Sequence, residues 1–367
     1  MKIAVAEINL EALQHNLLVV KRNAPNSKIL AMLKANAYGH GTTEIAKSLH
    51  QADAFGVARL SEAVALRAAG ITKPIVLLEG FFEADELQII SNLGLDTVLH
   101  TEQQFDDFMA ADIPRSVRVW LKVDTGMHRL GLPPETFPAI REKISGHKNI
   151  LGEPILMSHF GCADDVTHSL NDYQFSVFEE LQNHHKGECS FANSAAILSF
   201  KNSHHQWVRP GIMLYGVSPV NNTSALDYEL KPVMTLKSSI IAIREVKKGQ
   251  SVGYGATWVA KEDTRLAVIA IGYGDGYPRN AENGTPILVN GVKYPLSGRV
   301  SMDMISIDIG NEKTIKVGDE AILWGENLPL ETIADYAKTV PYELLCGVTG
   351  RVEKRFSRVK NEFNNRS

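Results

Sequence analysis

Residues 29–41 read ILAMLKANAYGHG, an apolar run that closes on Lys34 and is followed at once by Asn36, Tyr38 and two glycines. A charged amine at the end of a buried run is costly, whereas a desolvated, neutral lysine is suited to form a Schiff base with an aldehyde. Other polar residues sit at the ends of later apolar runs: Lys122 and Asp124 in VRVWLKVD, His159 in PILMSHF, Asn193 and Ser194 in CSFANS, and Arg209 in VRPGIMLYG. Taken singly, each has a plain structural role, such as a strand-end lysine reaching water, a hydrogen-bonded core histidine or an ion-paired arginine. They imply chemistry only if the fold brings them to one place.

The elements around them supply that place. Eight short apolar runs begin near residues 29, 54, 75, 96, 117, 154, 189 and 208, and several intervening stretches, such as TEIAKSLHQA and SEAVALRAAG, have helical periodicity. In the latter, Ser61 is the expected N-cap and Gly70 the expected stop. Strands without a polar face, alternating with helices, imply a parallel sheet covered on both sides, and eight repeats imply closure into a (β/α)8 TIM-like barrel. Functional side chains of that fold lie at the C-terminal ends of the strands, where all the residues above fall. The barrel is expected over residues 9–226. From 227 to 367 the texture is mostly β, with Asn290-Gly291 as a hairpin turn and a helix at LETIADYAKTV, and residues 1–8 are expected to join this second domain.

Composition excludes several classes. The 367 residues carry a formal charge of -4, which argues against a nucleic-acid partner. No window has the roughly 18 unbroken apolar residues of a membrane span, and the N-terminus does not read as a signal peptide. Cys162, Cys189 and Cys346 are odd in number and lack metal-ligand spacing, which fits a reducing cytoplasm. The doublets His184-His185 and His204-His205 read as solvated surface rather than a metal site. IGYGDGYPR lies in the β region without a following helix, so it reads as a loop of glycine-enforced geometry, not a dinucleotide motif. Ser194 in NSAA and Gly211 in RPG offer a hydroxyl and a backbone amide to a phosphate near the last two strands. The residues alone therefore reach a barrel enzyme with a Schiff-base lysine and a phosphorylated cofactor or substrate.

The segments LKANAYGHG, KVDTGMHRLG, LMSHF, ANSAA, RPGIMLYG, VGYGATW, GYGDGYPR, SMDM and VPYELLC resemble bacterial alanine racemase, in order and over nearly the whole chain. That resemblance implies a homodimer that uses pyridoxal 5'-phosphate to interconvert L- and D-alanine, either supplying D-alanine for peptidoglycan or serving alanine catabolism. Lys34 would carry the cofactor as an aldimine. Tyr38, Ser194, Gly211, Ile212 and Tyr342 would hold its phosphate, Arg209 its pyridine nitrogen, and His159 would support Arg209. Tyr254 would act from the partner subunit on the second face of the substrate, with Arg129 and the backbone at Met302 orienting the carboxylate. Lys122 matches a family lysine that is often carbamylated. Tyr273, Asp164, Arg279 and Arg299 are channel or gate candidates.

Racemisation removes a proton from one face of Cα and returns one to the other, so it needs two acid/base groups on opposite sides. A tyrosine serving as base needs a cationic neighbourhood, since an unperturbed phenol is protonated at neutral pH. Residues alone do not choose between Tyr254 and its near copy Tyr273; the resemblance selects Tyr254. Arginine opposite the pyridine nitrogen keeps its own proton, which disfavours transamination. The alternatives are a noncatalytic cofactor-binding barrel, a related decarboxylase, and a serine or broad-specificity racemase. The long second domain weighs against the first, and the missing GGG-type phosphate loop against the second.

Overall fold

The computed structural model describes residues 3–144 and 146–357; residues 1–2 and 358–367 of the expected second domain lie outside them. Strand β1, Val5–Ile8, leads into the helix Leu10–Asn23, which Asn9 caps by accepting the Ala12 N–H at 2.9 Å. The eight apolar runs then form β2 (Lys28–Met32), β3 (Ala54–Val57), β4 (Ile75–Leu77), β5 (Asp96–Leu99), β6 (Val119–Lys122), β7 (Ile155–Met157), β8 (Cys189–Asn193) and β9 (Trp207–Arg209). Each pairs in parallel with the next, and β9 returns to β2, so the barrel closes. Their side chains are almost all buried, as apolar runs without a polar face require. Fully buried side chains such as Phe55, Trp120 and Phe191 fill the core, each contributing about 1.5–3 kcal/mol of transfer free energy.

Among the described residues the second part contributes nine strands: β10 (Met234–Val246), β11 (Ser251–Val252), β12 (Trp258–Val259), β13 (Thr264–Ile269), β14 (Pro286–Val289), β15 (Val292–Pro295), β16 (Ile305–Gly310), β17 (Glu320–Trp324) and, last of them, β18 (Glu353–Phe356), with β1 joining them. β10 is the hub: it runs antiparallel to β1, β13 and β17, while β1 pairs in parallel with β18. Asn290 and Gly291 both have positive φ, 49° and 81°, at the β14–β15 hairpin, the backbone that an Asn-Gly turn favours. Buried Asn16 joins the two parts. Its amide donates to the carbonyls of Leu214 and Lys231 and accepts the Lys231 N–H, all within 3.0 Å.

Three local expectations differ from what is observed. The helix Leu60–Ala68 begins one residue before Ser61 and is capped at Arg59, with Glu62 accepting the backbone N–H groups of Ala58 and Arg59. Beside the expected helix, found at Leu330–Ala337, there is a second, Pro341–Gly347, opened by a proline at its first position. The histidine doublets are only partly solvated surface: His184 is exposed, but its neighbour and the second doublet are not. His204 is buried with Nε2 3.0 Å from the Ile197 carbonyl, and His185 is half-buried, although no metal-binding cluster occurs among the described residues. No described helix is long and apolar enough to cross a membrane.

Directly after β2 the chain makes an unusual turn. Ala35, Asn36, Ala37 and Tyr38 all have φ between 51° and 55°, a left-handed helical turn made without glycine. Crowding of Cβ makes this conformation roughly 1–2 kcal/mol per residue unfavourable, so the surroundings must hold it. Glu62 accepts the Ala35 N–H at 2.7 Å, and the Asn36 side chain accepts the Thr42 N–H at 3.1 Å. Gly39 ends the turn at φ 78°, and a Cβ there would lie 2.0 Å from the Leu345 carbonyl oxygen. This close approach seats the helix Pro341–Gly347 against the barrel mouth.

Candidate active site

At the C-terminal ends of the barrel strands lies a cavity of about 680 Å³, within the range of small-molecule sites. Lys34, Tyr38, Lys122, Arg129, His159, Asp164, Asn193, Ser194, Arg209, Gly211, Ile212 and Tyr342 all line it. The fold thus gathers residues that are up to 308 positions apart in sequence. Clefts at the opposite end of the barrel contain Lys28, Arg118, Glu153 and Glu188, with Lys28 and Glu188 ion-paired at 2.5 Å, and hold none of the expected residues. That end of a barrel serves stability.

Arg209 is the deepest of the polar groups. Its Nη1 donates to Ser190 Oγ at 2.7 Å, and Nη2 donates to the carbonyls of Ser158 and Phe191 at 2.5 and 3.1 Å. Nη2 also lies 3.1 Å from His159 Nδ1, and an arginine can only donate, so Nδ1 accepts. His159 is therefore neutral. Burial, then Arg209, Lys122, Arg129 and Lys34, all push its pKa well down, so the cationic character of the site comes from the lysines and arginines and not from this ring. Burial lowers Arg209 to about 9, which leaves it protonated at neutral pH. Arg209 Nε has no bond to the described residues and remains for a ligand atom.

Beside it, the Gly211 N–H donates to Ser194 Oγ at 2.7 Å, leaving the hydroxyl hydrogen for an acceptor in the cavity. Ser194 opens the short helix Ser194–Ser199, whose cap Asn193 accepts the Ala196 N–H at 3.0 Å. A Cβ on residue 211 would sit 2.6 Å from Tyr38 Oη, so the hydroxyl and the backbone meet in a cradle that only glycine leaves open. Burial raises Tyr38 far above the ordinary phenol range, and the dense protein around the partly exposed Tyr342 raises it to about 12, which keeps both hydroxyls as donors. These donors, with Ile212 at the start of the next turn, fit an anionic phosphate, and Arg209 Nε fits a ring nitrogen.

Lys34 is densely surrounded by protein yet open on its cavity side. Burial and the neighbouring Arg129 lower its pKa, which Glu79, Cys346 and Glu62 only partly offset. Lys122 is buried 6% exposed, and burial followed by Arg129, Arg209 and Lys34 lowers it to about 8. Its amine is partly neutral near physiological pH, a nucleophile amid three cations. Arg129 stands on the loop that Asp124 shapes by accepting the N–H groups of Gly126 and His128 at 2.9 and 3.1 Å.

Five expected residues do not line this cavity: Tyr254, Tyr273, Arg279, Arg299 and Met302. They lie in the second part of the chain. Tyr273 donates its backbone N–H to Ser301, the guanidinium of Arg279 lies 5.9 Å from the Tyr273 ring, and a Cβ on Gly255 would be 3.3 Å from Arg299. Tyr254 is 68% exposed and Met302 52%, high values for an aromatic and an apolar side chain in a single chain. Sequence reasoning missed Asn221, whose amide holds the Asp164 carboxylate at 2.9 Å at the cavity rim, and Glu62, which anchors the Lys34 turn. Glu62 carried a signal as the third residue of its helix, a capping position; Asn221 carried none.

Residues 8–219 match the family model described as alanine racemase, N-terminal domain, and residues 233–356 that of the C-terminal domain. The alanine racemase of Aeromonas hydrophila is 53% identical over 352 residues, covering 96% of this chain and 99% of the relative. That of Vibrio vulnificus is 52% identical, covering 97% and 100%. Among solved structures, the biosynthetic alanine racemase of Pseudomonas aeruginosa superposes with a TM-score of 0.95 at 44% identity, covering 98% of this chain and 100% of that one. The alanine racemase of Bartonella henselae, solved with covalently bound pyridoxal phosphate, gives 0.88 at 29% identity, covering 97% and 100%. The chain belongs to the alanine racemase family.

Proposed function

We propose that this chain interconverts L- and D-alanine with pyridoxal 5'-phosphate held at Lys34, in a homodimer whose two sites each take Tyr254 from the partner subunit. The observation that carries the reading is the cavity itself: a lowered-pKa lysine at its mouth, a donor cradle, and beside the cradle an arginine whose Nε bonds none of the described residues. When bound, the cofactor supplies an electron sink conjugated to the amino acid's Cα. Ser194 and Tyr38 would bind its phosphate in the cradle that Gly211 leaves open, with Ile212 and Tyr342 beside it, and Arg209 would meet its ring nitrogen, oriented by the neutral His159. Lys34 would accept or return the Cα proton on one face. No tyrosine of this chain besides Tyr38 and Tyr342 lines the cavity among the described residues, and this reading gives both to the phosphate. A second acid/base group must then come from elsewhere, and the exposed Tyr254 is available on the second part of the chain.

The test is to add pyridoxal phosphate and either enantiomer of alanine to the purified chain and follow optical rotation and products. The expected result is decay to a racemic mixture with no amine or carbon dioxide released, and slower turnover of serine. Ethylamine as product would establish a decarboxylase and refute the proposal.

Arg209 favours racemisation over transamination because a guanidinium does not hand its proton to the ring nitrogen. Arg209→Glu is expected to slow racemisation and raise pyruvate formation, since a carboxylate partner favours ring protonation. Unchanged pyruvate formation would remove Arg209 from the ring nitrogen.

Lys122, with a partly neutral amine among Lys34, Arg129 and Arg209, is suited to add carbon dioxide and become an anionic carbamate that would hold Arg129. Chain equilibrated with 13C-bicarbonate should then show a carbamate carbon resonance that Lys122→Arg lacks. A resonance that survives the substitution assigns the carbamate to another amine.

A further inference from the structure

We propose that His40 is a positioning residue for the cofactor, fixing the left-handed turn through which Lys34 and Tyr38 are presented to the cavity. The proposal rests on the assignment of those two residues to pyridoxal phosphate made above. His40 has no exposed surface and does not line the cavity, so any effect it has must pass through the backbone it holds.

Its Nδ1 lies 2.8 Å from the Tyr38 carbonyl oxygen and 3.1 Å from that of Ala37. Carbonyls only accept, so Nδ1 carries the hydrogen and the ring is a single tautomer. Burial lowers its pKa to about 4, and the buried Nε2 finds no partner among the described residues, which a neutral ring tolerates and an imidazolium would not. A buried side chain that leaves one polar atom unsatisfied is spending its other atom on something specific. Here that is the pair of consecutive carbonyls at the end of four residues in left-handed conformation.

The ring also holds the turn from the side. His40 packs on Tyr215 with centroids 4.6 Å apart, and Tyr215 stacks on Tyr38 at 4.8 Å. Tyr215 in turn donates its hydroxyl to the Met32 carbonyl at 2.8 Å, two residues before Lys34. His40 and Tyr215 thus grip the chain on both sides of Lys34. Without the Nδ1 donor, the Tyr38 carbonyl loses its bond and Ala37 keeps only backbone N–H donors, so the restraint against relaxation towards right-handed backbone weakens at Tyr38 and its hydroxyl leaves its place against Gly211.

The experiment compares full-length wild type, His40→Leu and His40→Asn as apoproteins. It measures pyridoxal phosphate affinity by absorbance titration, melting temperature without cofactor, and kcat and KM for alanine at saturating cofactor. Leucine fills the space without a donor, and cofactor affinity should fall about tenfold, the scale of a lost buried hydrogen bond. Asparagine places an amide N–H where Nδ1 stood and should restore affinity to within about threefold of wild type. Because His40 touches no substrate, KM at saturating cofactor should stay unchanged.

A purely structural histidine predicts a lower apoprotein melting temperature with wild-type cofactor affinity, and that result overturns the proposal, as does an asparagine variant no better than leucine. Should His40→Leu fail to fold, His40→Gln, whose amide sits at the Nε2 end, should show the same affinity loss against asparagine, and equal affinities overturn the proposal. Wild type that takes up no cofactor at Lys34 refutes the functional reading and this inference with it. Normal uptake by wild type and His40→Leu alike refutes this inference alone.

Discussion

Lys34→Ala is expected to lower alanine racemisation by ~10³-fold or more, the scale of a lost general acid–base group compounded by loss of the covalent link to the cofactor. The visible absorption band of the lysine-bound aldehyde should vanish with it. The side chain makes no hydrogen bond to the described residues and is open to the cavity, so the fold should not depend on it. Circular dichroism and melting temperature of the apoprotein should therefore match wild type. Substantial racemisation by a folded Lys34→Ala chain would move the essential amine elsewhere, with Lys122 as the next candidate because it lines the same cavity with a lowered pKa.

The second large effect concerns the origin of Tyr254. If Lys34 and Tyr254 of one site come from different subunits, each single mutant is a dead homodimer. A mixed dimer of Lys34→Ala and Tyr254→Phe then has one site with both lesions and one with neither. Random assembly makes about half of the dimers mixed, so co-expression should restore about a quarter of wild-type activity. Two-fold symmetry permits no other distribution of these side chains over two equivalent sites. Were both residues supplied by one chain, every site would carry one lesion, and activity would stay at the single-mutant background.

The barrel was legible because its strands are continuous apolar runs, a pattern that buried parallel sheets require, and because the polar residues closing them fall at one end. Lys34, Lys122, His159, Ser194 and Arg209 line one cavity for that reason. The β14–β15 hairpin was legible from Asn290-Gly291, whose chemistry is local. The turn after Lys34 was not, since Ala35 and Ala37 carry no preference for left-handed backbone, a lone Asn36 does not specify four such residues in a row, and the Glu62 carboxylate and the His40 ring hold them there. His204 was misread as surface because nothing beside it in sequence announces the Ile197 carbonyl that it meets on folding. Tyr254 and Tyr273 stay alike in sequence, and within one chain neither reaches the cavity. What separates such residues is tertiary or intersubunit contact, which no local pattern encodes.

The central claim, that this family member works through a cofactor bound to Lys34, is tested most directly by chemical trapping. The chain saturated with pyridoxal 5'-phosphate is reduced with borohydride, digested, and the pyridoxyl-lysine peptide sequenced. Stoichiometric label on Lys34 within ILAMLKANAYGHG is expected, with loss of both the visible band and activity. Label on Lys122, or on no lysine at all, would contradict it.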